Sequence, residues 1–146
     1  GTGNSDAGMR AIPGVTRRSL KDRTWRIAKH QTKYLGEIAK SKICVSPFGL
    51  GEITLKDFEC FLRGSMLLKP DMSHMDTWPN FFEKDVSYLS HNWDLDDVQE
   101  KIEWALSHDK ERIAIAREGQ NRYIQHTISN DAPGLFAQHF AQLMCV

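Results

Sequence analysis

The chain of 146 residues sets 19 Lys and Arg against 19 Asp and Glu, with 40% apolar and 26% charged residues. That length suits one domain with a buried core, and a net charge of zero excludes general electrostatic capture of nucleic acid or an anionic membrane. No apolar run approaches the roughly 18–20 residues that cross a bilayer, and three cysteines (Cys44, Cys60, Cys145) with no close pair in sequence suggest neither a disulfide framework nor a zinc ribbon.

These features place the chain in a reducing cytoplasm. Residues 1–8 lack the charged and apolar regions of a signal peptide and read as a disordered lead. Residues 9–15 form a short strand weakened by Pro13 and Gly14, and the basic stretch from Arg17 to Arg23 leads into a helix reaching Lys40. Residues 42–46 are a β-rich run without alternation, as in a strand buried on both faces. Pro47-Phe48-Gly49-Leu50-Gly51 breaks it. A helix over about residues 52–63 follows, with Leu55, Phe58, Phe61 and Leu62 on its core face and Gly64 as its stop. Residues 65–69 are a second buried strand, so a parallel, right-handed βαβ unit is expected. After a loop over residues 70–80, residues 86–89 form a third strand. Asp94 or Asp96 caps a helix bearing Val98, Ile102, Ala105 and Leu106, and about residues 110–127 form another with Gly119 inside it. A last helix from about Ala132 carries Phe136, Phe140 and Leu143. The fold class is α/β, a small parallel Rossmann-like sheet flanked by helices, with residues 9–146 as one domain.

The informative loop is 46–51, between a strand's carboxyl end and a helix's amino end, where open α/β sheets bind ligands. Free N–H groups and small glycines suit a phosphate there, although a plain βα turn explains the glycines equally well. Glu52, Lys56, Glu59 and Arg63 fall on one helical stripe, which reads as a solvated face with two i,i+4 ion pairs or as carboxylates facing a ligand's hydroxyls.

The run from Ser46 to Asn80 resembles the C-terminal, donor-binding half of GT-B glycosyltransferases of the group 1 type. Glu59 and Gly64 keep that family's Glu-to-Gly distance, and Lys69-Pro70-Asp71 stands where its second strand ends. Asn92-Trp93-Asp94-Leu95-Asp96-Asp97 resembles its Gly-Asp-Pro-x-x-Leu helix start. The segments 107–112 and 117–123 resemble its closing Asp-Pro-x-x-Arg … Gly-Arg-x-Arg pattern. The family's two glutamates are separated by seven residues, whereas six separate Glu52 from Glu59, so Glu59 is the closer match. The acceptor half and the first strands of the donor half have no counterpart, which makes the chain a donor-binding half truncated on its N-terminal side.

The resemblance implies a nucleotide-diphosphate sugar as donor and an unknown acceptor, with Ser46, Phe48, Gly49, Leu50, Gly51, Glu52, Glu59, Lys69, Asp71, Ser73 and His74 around the donor. Glu59 would hold ribose hydroxyls and the 71–74 loop would face the sugar. No cofactor is implied, nor a metal held by an Asp-x-Asp motif, and none is read in this chain. Arg17 and Arg18 match no motif and read as a solvated cluster. An open sheet edge and the last helix imply self-association.

Three other signals weigh less. Ser73 and His74 with Asp71 and Asp76 can be written as a nucleophile set, but neighbours on one loop rarely meet that geometry. The six histidines show no metal-ligand spacing, and Trp78 and Trp93 suit core or lid packing. Gly49-x-Gly51 with Thr54 and the later Asp71 resembles a dinucleotide-binding fingerprint, with Thr54 bulky for its third position. NAD-type binding, or a non-catalytic structural or regulatory fragment, are the alternatives.

Overall fold

The computed structural model describes residues 17–144, with side chains from Lys29 onward. The expected lead and the strand over residues 9–15 lie outside the described residues, as do the side chains of Arg17 and Arg18. The elements are α1 (Arg17–Lys40), β1 (Ile43–Val45), α2 (Leu55–Arg63), β2 (Met66–Pro70), β3 (Leu89–His91), α3 (Val98–Ser107), α4 (Asp109–Thr127) and α5 (Ala132–Met144). The chain divides into two units, Gly1–Tyr34 and Leu35–Val146; the second holds the end of α1 and every later element. No helix among the described residues is long and apolar enough to cross a membrane.

The three strands form one parallel sheet in the order β1-β2-β3, with Ile43 opposite Met66 and Leu68 opposite Leu89. Central β2 is buried at all five positions, which is why its sequence shows no polar alternation. Its pleat still sorts the side chains. Leu67 joins Cys44, Cys60, Phe61 and Tyr88 on one face; Met66 and Leu68 join Leu89, Ala105, Ile115 and Ala116 on the other. The two thiols far apart in sequence, Cys44 and Cys60, thus share one core cluster and are free.

Several boundaries depart from the sequence reading, each for a local reason. Helix α2 starts at Leu55 and not at Glu52, because Thr54 takes the N-cap position and its N–H donates to Asp57 Oδ2 at 2.9 Å. That rotation leaves Leu55 80% exposed and Leu62 at the surface, while Cys60 and Phe61 make the core face. Strand β3 begins at Leu89, three residues later than expected. Ser87 Oγ donates to the Phe81 carbonyl, and Asp85 Oδ1 accepts from Ser90 N and Oγ, so residues 83–88 are held as a turn with Val86 outside. Asp97 directly precedes α3, where Asp94 or Asp96 was expected, and its carboxylate accepts from Asn92 N at 2.8 Å. Of the expected α3 face, Ala105 is buried and Leu106 exposed.

Gly119 is explained by packing. A Cβ there would lie 2.5 Å from the Ser87 carbonyl and 2.7 Å from Phe61 Cδ1, so its glycine lets α4 close onto the 83–88 turn and α2. On α5, Phe136, Phe140 and Leu143 stand exposed among the described residues.

Candidate functional site

All three strands point their carboxyl ends the same way, so the loops after β1, β2 and β3 gather on one rim of the sheet. Ser46 is buried as β1 ends, its N–H bonded to the Leu68 carbonyl and its Oγ 3.4 Å from Thr54 Oγ1. Between these two anchors the chain bulges outward. Phe48 packs on the core cluster, while Gly49, Leu50 and Gly51 are exposed. Gly49 N–H donates back to the Gly51 carbonyl at 3.2 Å. Neither glycine has a positive φ, and a Cβ on Gly49 would meet nothing within 4 Å. The N–H groups of Leu50, Gly51 and Glu52 have no acceptor among the described residues.

Under this loop lies Lys69, fully buried. Its ammonium sits 3.0 Å from Asp57 Oδ2, away from hydrogen-bonding alignment, and 5.1 Å from the centre of the Phe48 ring. Asp57 is equally buried, with Oδ1 unpartnered. Lys69 therefore braces the loop from inside, and the carboxylate of Asp57 already occupies the amino end of α2.

On top of the loop, Glu52 Oε1 meets His74 Nε2 at 2.9 Å, with both side chains 40% exposed. This contact ties the glycine loop to the loop after β2. Next to it, Asp71 accepts from Ser73 N at 2.8 Å and from Lys84 Nζ at 2.6 Å. The Lys84 ammonium, with help from Ser73, pulls the Asp71 carboxyl down to about 2. The loop after β3 supplies Trp93, whose indole N–H donates to the Asp71 carbonyl at 3.1 Å and whose ring meets Phe48 and His74 edge-on. Asp71, Ser73, His74, Asn92 and Trp93 line a depression of 390 Å³.

The structure thus brings Phe48, Glu52, Asp71, Ser73, His74 and the glycine loop to one rim, with Lys69 beneath it. Glu59 stands apart on α2, half-buried, its carboxylate making no hydrogen bond or ion pair among the described residues. The stripe Glu52-Lys56-Glu59-Arg63 does not form: Glu52 precedes the helix, and Lys56 Nζ donates to the Val45 carbonyl at 2.6 Å. The sequence reading gave Trp93 a core or lid-packing role; at 56% exposure it is not core, and only its place just after a strand hinted at the rim.

Competing chemistries lose their geometry. Ser73 meets Asp71 through its backbone N–H, and the His74 ring is engaged by Glu52, so no nucleophile relay exists. A Gly-x-Gly turn that runs straight into a helix is absent, since three residues separate Gly51 from Leu55. An Asp-x-Asp triplet does occur, Asp94-Leu95-Asp96, contrary to the reading above. Its carboxylates serve the loop: Asp94 accepts from Asp96 N and Asp96 from Asn92 Nδ2. No cluster of three or more metal-ligating side chains exists among the described residues.

No curated protein and no solved structure matches the chain. A family model described as glycosyl transferase-like matches residues 17–136, which include the whole sheet and all three rim loops. The chain belongs to this glycosyl transferase-like family.

Proposed function

We propose that residues 9–146 form the nucleotide-sugar-binding half of a GT-B type glycosyltransferase, which transfers a sugar from a nucleotide-diphosphate donor to an acceptor held by a partner domain. The observation that carries this reading is the exposed glycine loop. Its glycines answer neither a positive φ nor a packing need, and its N–H groups at Leu50, Gly51 and Glu52 lack acceptors among the described residues. Such a loop lets an anion approach the backbone closely, and a diphosphate supplies that anion.

In transfer, negative charge grows on the departing diphosphate, and preorganised donors stabilise it without rearranging. The loop amides provide them here. The amino end of α2 contributes less than its position in sequence implied, because Asp57 already sits on it. Glu59, whose carboxylate has no partner among the described residues, would hold ribose hydroxyls, and the 71–74 loop would face the sugar. Asp71 stays ionised at neutral pH and accepts hydrogen bonds from hydroxyls. The free, buried thiols Cys44 and Cys60 favour a reducing compartment. Self-association through the β1 edge is opposed locally, since Lys56 occupies the Val45 carbonyl that the ladder turns away from β2.

Titration calorimetry with UDP, GDP and ADP, each against its nucleoside, tests the reading. One diphosphate should bind at least tenfold more tightly than its nucleoside. Equal or absent binding across all three pairs contradicts it.

A further inference from the structure

Trp93 breaks the usual rule for a large aromatic side chain: it is 56% exposed and yet fixed in orientation. Its indole N–H donates to the Asp71 carbonyl at 3.1 Å. One neighbour, Phe48, meets the ring edge-on at 4.6 Å between centroids, and the other, His74, does so at 5.1 Å. Phe48 is itself backed by the Lys69 ammonium, so the indole is held through a chain of contacts reaching the core. A flat apolar surface kept rigid in water costs free energy unless something covers it.

The surroundings narrow what covers it. The depression that Trp93 lines is also lined by Asp71, Ser73, His74 and Asn92, all residues with polar side chains. Residues able to donate and to accept hydrogen bonds thus share one depression with a single indole. Its 390 Å³ lies near the small end of ligand sites, which run about 300–1,000 Å³, and suits one monosaccharide better than a nucleoside diphosphate. A pyranose ring has the matching surface: a C–H face for the indole and a rim of hydroxyls that both donate and accept. A nucleobase has the flat face but lacks the hydroxyl rim.

We propose that Trp93 is the platform on which a pyranose ring stacks, and that Asp71, Ser73, His74 and Asn92 read its hydroxyls, making Trp93 a specificity-determining residue. This rests on the donor-binding reading above where the ring belongs to the donor; a ring belonging to the acceptor would use the same chemistry.

The experiment is calorimetry on Trp93→Ala and Trp93→Phe, titrated with UDP, UDP-glucose, GDP, GDP-mannose and a free maltooligosaccharide. Thermal midpoints serve as a check that both variants fold, and Trp93→Phe keeps an aromatic ring if the alanine variant does not. The expected result is about a tenfold loss for the nucleotide-hexose with Trp93→Ala, a smaller loss with Trp93→Phe, and no change for the nucleoside diphosphate alone. A loss confined to the maltooligosaccharide supports the pyranose platform and assigns it to the acceptor. Equal losses for the diphosphate and the nucleotide-hexose overturn the proposal in favour of base stacking. Unchanged affinities throughout overturn it while leaving the donor reading intact. Should wild type bind neither nucleotide nor saccharide, both fall.

Discussion

Two side-chain pairs brace the glycine loop, an ion pair beneath it and a carboxylate–imidazole hydrogen bond above, with nearly equal separations of 3.0 and 2.9 Å. Below, Asp57 and Lys69 have no exposure; above, Glu52 and His74 are each 40% exposed. Length therefore says nothing about strength here. The lower pair has surrendered its hydration, and each partner is left uncompensated if the other goes. The upper pair stays in water, where attraction is screened and side-chain ordering offsets most of the gain. A loop held firmly at its base and loosely at its top keeps its backbone shape while its surface groups adapt to a ligand. Removing one member of each pair should expose that asymmetry.

The largest effect is expected at the base. Lys69→Met strands the Asp57 carboxylate in the core and should cost about 3–5 kcal/mol of folding stability. Asp57→Asn combined with Lys69→Met should recover most of that, since Asn still offers an oxygen to the Thr54 N–H and no buried charge remains. Urea unfolding of wild type, Lys69→Met, Asp57→Asn and the double variant gives the cycle. Additive losses in the double variant would show that the pair is not what couples the two positions.

Next comes the ligand side of the comparison. Glu59→Ala should weaken nucleoside-diphosphate binding by about tenfold to a hundredfold, the loss of a charge-assisted hydrogen bond of about 1.5–3 kcal/mol. Glu52→Ala should weaken it far less, because that carboxylate is already engaged by His74. Both are half-buried and neither makes a helical ion pair among the described residues, so each should change stability by less than about 0.5 kcal/mol. Calorimetry separates the two variants, and equal affinities for Glu59→Ala and wild type would return Glu59 to a plain solvated face.

The contrast between base and top also marks what the sequence could reveal. Strand β2 was legible because a run buried on both faces needs no polar position, and Gly64 was legible as a stop; its φ of 72° confirms the left-handed cap. The glycine loop stood out for its composition and its place after a strand. The start of α2 was not legible. Thr54 and Asp57 compose a capping pair, but the apolar Leu55 inside it looked like the first core residue, and periodicity favoured extending the helix back to Glu52. That single slip created a stripe that does not exist and hid the Glu52–His74 contact across the rim. Lys69 posed the opposite difficulty. A lysine at a strand's carboxyl end suggests a ligand grip, and only the tertiary position of Asp57 turns it inward. Trp93 depends on where three loops meet, information that no local pattern contains.

The smallest effect concerns a third pair on the same rim, and pH tests it. Asp71 receives Lys84 Nζ at 2.6 Å, and this contact is the leading reason its carboxyl lies at about 2. In the unfolded chain an aspartate titrates near about 3.9. A carboxylate whose folded value is depressed stabilises the fold fully above the unfolded value, and loses that contribution as pH falls from about 4 towards about 2. Lys84→Met removes the leading cause while leaving the exposed turn intact. Wild type should therefore exceed Lys84→Met in urea midpoint at pH 6, and the difference should close progressively between about pH 4 and about pH 2. Because Lys84 is exposed, added salt should shrink the difference at pH 6 as well, which the buried Asp57–Lys69 pair would resist. A gap that persists unchanged down to pH 2 would mean that Lys84 acts through its aliphatic stem and not through Asp71. The rim would then hold its third loop by packing, and the contrast between a solvated top and a buried base would rest on Glu52 and His74 alone.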